Sequence, residues 1–343
     1  MTEQLSLFSA ADQAESNSAH ASTVLPASVP PPLAQAAAAL PAAVFLGTSS
    51  WSFPTWRGLV YARSYAQATL ARDGLGAYAR HPLLRAVGID RTFYAPITQA
   101  EFAHYAHQVP AGFRFLVKAP LECIAPSLRV EGGRRLADNP HCFDPGFAAE
   151  RFVLPAIEGL GDKAGPLVFQ FPPLVGAALG EAGAFAKRLG EFLCRLPRGP
   201  IYAVELRDAV LLTADYVAVL RDTGARHCIG LHPRQPSVRE QARLLEGLAP
   251  GPLVVRWNLH PDYAYEEARR RYHPFTRLID EDLPTRVALA RLCLASVRAG
   301  HAAFVVANNK AEGSAPLTVF KLAALIAEEA AEARQRQLAT AGG

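Results

Sequence analysis

The sequence predicts an α/β protein that folds as a single (β/α)8 barrel. The main observation is a repeated pattern, in which a short apolar run ends in a polar residue and is followed by a helix-like stretch. The clearest copy is IYAVELRD, where Ile, Tyr and Val give way to Glu205, Arg207 and Asp208. Eight such units follow one another along the chain, which is the number of units in a (β/α)8 barrel.

Strands and helices are expected to alternate along the chain. Alternation at this spacing favours a parallel sheet with right-handed crossovers, and a doubly wound open sheet is the alternative. The predicted strands are 44–48, 86–89, 113–119, 167–171, 201–206, 225–231, 253–257 and 302–307. The predicted helices are 99–108, 147–159, 180–195, 214–223, 237–248, 283–299 and 316–333.

The two ends of the chain differ from the part between them. Most of the first 41 residues are Ala, Ser, Pro and Gln, and such a segment buries too little apolar surface to offset its ordering entropy. We therefore expect a disordered tail over residues 1–41, a barrel over residues 42–334 and a disordered carboxyl terminus over residues 335–343.

Composition indicates a reduced, cytoplasmic protein. The five cysteines are odd in number and show no CxxC spacing, which argues against a disulfide framework or a zinc ribbon. No stretch approaches the roughly 18–20 apolar residues of a membrane span, and no secretory signal precedes the barrel. The net charge of +4 permits a polyanionic partner without arguing for one.

A short apolar motif stands out in the predicted tail. Gln4, Leu5, Ser6, Leu7 and Phe8 resemble the linear peptide with which bacterial proteins dock on the replicative sliding clamp. Leu7 and Phe8 would fill an apolar pocket while Gln4 makes an amide hydrogen bond, with the tail as a tether. The alternative is an apolar patch that packs back on the barrel.

Several short phrases recur in order along the predicted barrel. They are GTSSWSF (47–53) with WRG (56–58), TFY (92–94), FRFLVKA (113–119), GPLVFQFPP (165–173), VELR (204–207), VRW (255–257) and NN (308–309). Together these phrases resemble the YecE-like family, also called domain of unknown function 72. The resemblance spans about residues 44–330 and implies a TIM-like barrel, but no established reaction.

The chain departs from the family at the end of the second strand. Members commonly carry a phrase like VEINSTFY, whereas this chain has VGIDRTFY over residues 87–94. Gly88 therefore replaces a glutamate and Asp90 replaces an amide. If that glutamate is catalytic in relatives, this chain has moved the role to Asp90 or lost it.

Polar residues at the predicted strand ends are expected to converge on the carboxyl mouth of the barrel, where this fold builds its sites. The candidate catalytic residues are Glu205, Lys118, Asp90 and Arg207. The candidate substrate-binding residues are Trp51, Tyr94, Gln170, Asp208, His232, Arg256, Trp257, Asn308 and Asn309.

Glu205 is the first candidate for a general acid or base. Burial near a strand end would raise its pKa, and Arg207 and Lys118 would then tune it. The alternative is a structural Glu–Arg pair that orders the mouth. Lys118 would clamp an anion or, less readily, form a Schiff base, and Arg256 would bind a phosphate or carboxylate.

The segment before the last helix suggests a phosphate site. Backbone N–H groups at Gly313 and Ser314, the helix N-terminus and Lys310 would together bind an anion, and barrels often hold phosphate after strands 7 and 8. The alternative is an ordinary helix start. No cofactor is evident, and a divalent metal is left open although no ligand spacing supports one.

Three functions remain open. The first is an enzyme with acid–base chemistry, a hydrolase or isomerase, acting on an anionic, phosphorylated small molecule. The second is a clamp-tethered DNA-maintenance factor, which the arginines and tyrosines of residues 258–282 would suit. The third is a non-catalytic binding barrel. Fold alone does not choose between them.

Overall fold

A computed structural model describes residues 23–129, 136–172 and 181–341 of the chain. Eight parallel strands close into a barrel in the order β1-β10-β9-β8-β7-β6-β3-β2, which confirms the predicted fold and excludes the open sheet. The strands are β1 Val44–Thr48, β2 Ala86–Ile89, β3 Arg114–Lys118, β4 Ser127–Arg129, β5 Leu136–Asp138, β6 Ala164–Phe171, β7 Tyr202–Leu206, β8 Arg226–Leu231, β9 Leu253–Trp257 and β10 Ala303–Ala307.

Helices surround the barrel in the predicted order. The predicted helix 147–159 is divided by a π-helical turn at Ala149–Val153. The helices are α1 Pro31–Ala39, α2 Gln67–Asp73, α3 Leu75–Tyr78, α4 Gln99–His107, α5 Pro145–Ala148, α6 Leu154–Leu160, α7 Ala182–Cys194, α8 Ala214–Thr223, α9 Val238–Glu246, α10 Tyr265–Tyr272, α11 Leu283–Arg298 and α12 Ala315–Ala341.

Two helices begin at a capping box that is visible in the sequence. Thr98 accepts a hydrogen bond from the backbone N–H of Glu101, whose carboxylate accepts one from the Thr98 N–H in return. Ser237 and Glu240 form the same pair at the start of α9. Each box satisfies two backbone N–H groups that the helix leaves unpaired, and so fixes where the helix starts.

Where the structure describes them, both ends of the chain are more ordered than the composition predicts. Residues 31–39 form α1, which packs against α12, and Arg85 donates hydrogen bonds to the carbonyl oxygens of Ala37 and Pro41. Val24 and Leu40 are buried. The ordered part of the chain therefore includes residues of the predicted tail, because tertiary packing supplies stability that an alanine-rich segment lacks alone. At the other end, α12 continues past residue 334 to Ala341.

The core has two parts. Inside the barrel, seven apolar side chains from six strands fill the lumen, and a larger cluster fills the space between strands and helices. The lumen is thus a packed core and leaves the strand ends as the place for a site. None of the helices in the described ranges is long and apolar enough to cross a membrane.

The packing of α1 gives a stability test. Replacing the buried Leu40 with Ala should lower the free energy of unfolding by about 2–5 kcal/mol, because the deletion leaves a cavity. Urea denaturation of the full chain measures this. Leu25→Ala is the matched control, since Leu25 is 47% exposed and its loss should cost less than about 1 kcal/mol. Equal, small effects of both substitutions would contradict the packing of this segment.

Candidate functional site

A layer of charged and polar side chains closes the barrel interior at the carboxyl end of the strands. Successive side chains of a strand point to opposite faces, so every second residue faces the lumen. The apolar lumen includes Leu116, Val168, Ala203 and Val254. Two positions further along the same four strands stand Lys118, Gln170, Glu205 and Arg256, all of them buried. We call these four residues, together with Asp90 and Arg207, the charged layer.

Arg256 is the centre of the charged layer. Its Nη1 donates to Glu205 Oε2 at 2.6 Å and to Gln170 Oε1 at 2.7 Å. Its Nη2 donates to both carboxylate oxygens of Asp90, each at 2.8 Å. One guanidinium on β9 therefore holds residues from β7, β6 and the end of β2 in fixed positions.

Glu205 is completely buried, and the pKa of its carboxyl is lowered. Burial alone would raise this pKa, but the positive charges of Arg207 and Arg256, which lie on the two carboxylate oxygens, outweigh it. Asn258 Nδ2 adds a hydrogen bond to Oε1 at 3.2 Å. The raised pKa expected from the sequence is wrong in direction, because two guanidinium groups stabilise the ionised form more than burial opposes it.

Room for this carboxylate comes from Gly230 on β8. A Cβ built there would lie 3.0 Å from Glu205 Oε1 and closer still to the Gln235 side chain. Any larger residue at this position would push against the Glu205–Arg207 contact.

Lys118 has a different environment from the two arginines. Its Nζ lies 3.3 Å from the centroid of the Phe93 ring, and the side chain is 7% exposed. Burial, assisted by the positive charge of Arg256, lowers the pKa of Lys118 to about 7 against the opposing pull of Asp90 and Glu205. In the described part of the chain, no carboxylate lies within ion-pair distance of this amine.

Four further predicted residues lie at the rim of the mouth. Tyr94 follows Asp90 in the turn after β2 and is 62% exposed, while Asp208 after β7 and His232 after β8 are half-buried. Burial, with the nearby charge of Arg207, lowers the pKa of His232 to about 4, so its imidazole is neutral near pH 7. Asn308 donates a hydrogen bond to Ser49 Oγ at 2.8 Å.

Three residues predicted to bind substrate are buried in internal contacts. Trp51 is buried, and its indole Nε1 donates to the carbonyl oxygen of Leu70. Trp257 is fully buried among the helices because it follows the inward-facing Arg256 by one position. The carboxamide oxygen of Asn309 accepts hydrogen bonds from Trp56 Nε1 and from the Ala315 N–H.

Several groups of the phosphate site predicted before α12 are buried or already paired. Gly313 and Ser314 are buried, and the Gly313 N–H already donates to the carbonyl oxygen of Asn309. The neighbouring Glu312 carboxylate, which binds Arg286, adds a negative charge that disfavours an anion. Lys310 is buried with its Nζ 4.4 Å from the centroid of the Tyr265 ring, so it belongs to the loop's own packing.

The described residues contain no cluster of three or more histidine, cysteine, aspartate and glutamate side chains of the kind that holds a metal ion. The carboxylates of Asp90 and Glu205, which lie at this mouth, are bound by arginines. The arginine-rich segment of residues 258–282 is also partly neutralised, since Arg269 pairs with Glu266 and Arg271 with Asp280.

Sequence reasoning missed the ring beneath Lys118 and the glycine beside Glu205. Phe93 belongs to a 3₁₀ turn after β2, and an aromatic residue beside Asp90 and Tyr94 carries no polar group that would mark it as part of a site.

A cavity of about 600 Å³ lies at the opposite end of the barrel, but its Lys163 ammonium is bound by the carbonyl oxygens of Ala106 and Val109.

The fold and this layer define a (β/α)8-barrel protein with a buried ion-pair cluster at the end of the barrel where this fold carries its active sites. The chain belongs to the family described as protein of unknown function DUF72, whose model matches residues 45–341. The resemblance inferred from the sequence phrases is thereby confirmed.

Solved structures of the same family share the fold. A family protein from Enterococcus faecalis V583 is 17% identical, with a TM-score of 0.52 over 82% of this chain and 95% of that one. One from Thermotoga maritima MSB8 is 20% identical, with a TM-score of 0.51 over 81% of this chain and 97% of that one. At such identities the likeness concerns the fold alone. No curated protein matches the chain.

The lowered pKa of Lys118 predicts a pH-dependent gain of stability in Lys118→Met. An ordinary lysine has a pKa of about 10.4, so below about pH 7 the wild-type barrel must bury a charged amine. The free-energy cost of burying this charge in the wild-type barrel therefore falls as pH rises from about 7 to about 10.4. We expect Lys118→Met to raise the free energy of unfolding by roughly 1–4 kcal/mol near pH 6, and the gain to vanish at high pH.

Urea denaturation at several pH values measures this difference. Lys321→Met, which removes an exposed lysine of α12, is the control and should show no comparable gain. A gain in Lys118→Met that does not change with pH would contradict the assigned titration.

Proposed function

We propose that the mouth of the barrel binds an anionic, phosphorylated small molecule and acts on it as an enzyme. Arg207 and Arg256 would hold the negative charge of the ligand, and Lys118 would exchange a proton with it. Asp90, Tyr94 and His232 at the rim would contact the remainder of the molecule.

The observation that carries this proposal is a guanidinium group in the charged layer that is not fully paired. Arg207 and Arg256 face the carboxylates of Asp90 and Glu205, and Lys118 adds a third positive charge whenever its amine is protonated. Arg207 Nη1 is buried without a hydrogen-bond partner among the described residues. Because guanidinium groups favour bidentate contact with phosphate or carboxylate oxygens, a ligand anion would satisfy this donor and balance the charge.

Lys118 is better suited to acid–base work than Glu205. An acid or base acts best when its pKa lies near the working pH, and burial brings that of Lys118 to about 7. Glu205 stays ionised because Arg207 and Arg256 hold it, so its role in this proposal is to position both arginines.

Calorimetric titration with inorganic phosphate and with dihydroxyacetone phosphate tests the binding step. Arg207→Gln should weaken binding by about 10- to 100-fold, the loss expected for a charge-assisted hydrogen bond. Arg270→Gln is the matched control, because Arg270 is an exposed arginine of α10, and it should bind like wild type.

Thermal unfolding of each variant checks that the barrel remains folded. If wild type and Arg207→Gln bind phosphate equally strongly, the anion binds outside the charged layer. Binding without turnover of any phosphorylated substrate tried would favour the non-catalytic barrel over the enzyme.

A second candidate function rests on the motif Gln4–Phe8, which lies outside the described residues. We propose that Gln4, Leu5, Leu7 and Phe8 bind a bacterial sliding clamp and thereby bring the barrel to DNA. The support is the five-residue match together with the small and polar composition that follows it.

Surface plasmon resonance against a purified sliding clamp tests this interaction with the full chain. The double substitution Leu7→Ala/Phe8→Ala should weaken binding by more than about tenfold, because large apolar anchors carry most of the energy of such contacts. Ser6→Ala is the control inside the motif. A wild-type chain that does not bind the clamp would remove this candidate.

A further inference from the structure

We propose that Lys118 is a nucleophile that condenses with the carbonyl group of an anionic ketone or aldehyde to form an imine. This inference rests on the proposed function, since it takes the same mouth and names the chemical class of its substrate. It also assigns Lys118 a covalent role that the ion pairs beside it do not require.

The geometry around the amine distinguishes Lys118 from a structural lysine. Lys163 shows the structural case, because its Nζ donates to two carbonyl oxygens at 2.6 and 2.7 Å. Lys118 Nζ instead lies over the Phe93 ring at 3.3 Å, and it has no hydrogen-bonded or ion-paired partner within the described ranges. An aromatic face stabilises a cation without occupying the lone pair of the neutral amine.

The charges that face Lys118 come from three sides. Asp90 lies after β2, Glu205 and Arg207 lie on and after β7, and Arg256 lies on β9. Both carboxylates are already held by the arginines, so neither forms an ion pair with the amine. Desolvation together with a neighbouring cation is a known way to activate a lysine toward carbonyl carbon.

The reaction is balanced without any added oxidant or reductant. The ammonium of Lys118 gives up a proton, and the nitrogen lone pair attacks the carbonyl carbon as the C=O π bond breaks. The resulting carbinolamine loses its oxygen as water, which carries away that proton and one more from the nitrogen. An iminium cation remains over the Phe93 ring, with the same charge that the ammonium had.

The substrate class follows from the charged layer. Arg207 Nη1 offers an unpartnered donor in the same layer as Lys118, so the ligand should carry a phosphate or carboxylate together with its carbonyl group. A modified lysine is easy to locate in this protein, because the sequence contains only five lysines, namely Lys118, Lys163, Lys187, Lys310 and Lys321.

Reductive trapping of the full chain tests the inference. The protein is treated with dihydroxyacetone phosphate and sodium cyanoborohydride, and the modified lysine is located by peptide mass spectrometry. We expect a secondary amine at Lys118, and we expect its yield to rise with pH through about 7, where the amine becomes neutral. Dihydroxyacetone, which lacks the phosphate, should give a much lower yield at the same concentration.

Two variants serve as matched controls. Lys118→Arg keeps the positive charge without a nucleophilic amine, so it should lose the adduct while it still binds the ketone in calorimetry. Lys310→Arg removes the other buried lysine of this end of the barrel and should keep the adduct at Lys118.

The outcomes separate the imine from the proposed function. Binding of the phosphorylated ketone without a stable adduct at Lys118 would overturn the imine and leave the anion site. An adduct spread equally over the exposed lysines would likewise overturn it. Failure of both inorganic phosphate and the ketone to bind would overturn the proposed function and the imine with it.

Discussion

The buried ion pair between Glu205 and Arg256 is the interaction on which the carboxyl end of the barrel depends. Taking two charges out of water is costly unless the geometry is good and further hydrogen bonds compensate. Here the carboxylate also binds Arg207 and Asn258. The pair joins β7 to β9, which are not neighbours, across β8, where Gly230 contributes no side chain. The ion pair therefore depends on this strand order and on that glycine.

The same burial has opposite consequences for the two kinds of charge in the layer. Glu205 remains ionised because two guanidinium groups lie on its oxygens. The pKa of Lys118 falls to about 7 because burial and the charge of Arg256 oppose its protonated form, and no described carboxylate forms an ion pair with its nitrogen. Burial disfavours both charges, and the neighbouring groups decide which one survives. A site built this way contains a fixed anion that orders its arginines, beside an amine whose pKa lies near 7.

The barrel and the inward residues of its mouth were predictable, because apolar runs with polar ends have the period of a strand. The same alternation excludes Trp257 from the residues that line the mouth, since a residue that follows the inward-facing Arg256 must point outward. Other features depend on contacts that are distant in the sequence. Asn309 folds back on the start of α12, and α1 gains its stability from α12 at the opposite end of the chain. Neither of these contacts produces a recognisable pattern in the local sequence.

Gly88 has a consequence for how the mouth of this barrel can change in evolution. In the family phrase VEINSTFY, with which residues 87–94 were compared, a glutamate stands at this position. In this chain a Cβ at Gly88 would lie 3.1 Å from Ser49 Cα, so the backbone after β1 would have to yield by a few tenths of an ångström. The side chain of Ser49 in turn accepts a hydrogen bond from Asn308. A glutamate at this position would thus be an epistatic change, because its effect would depend on how the backbone and side chains around Ser49 can adjust.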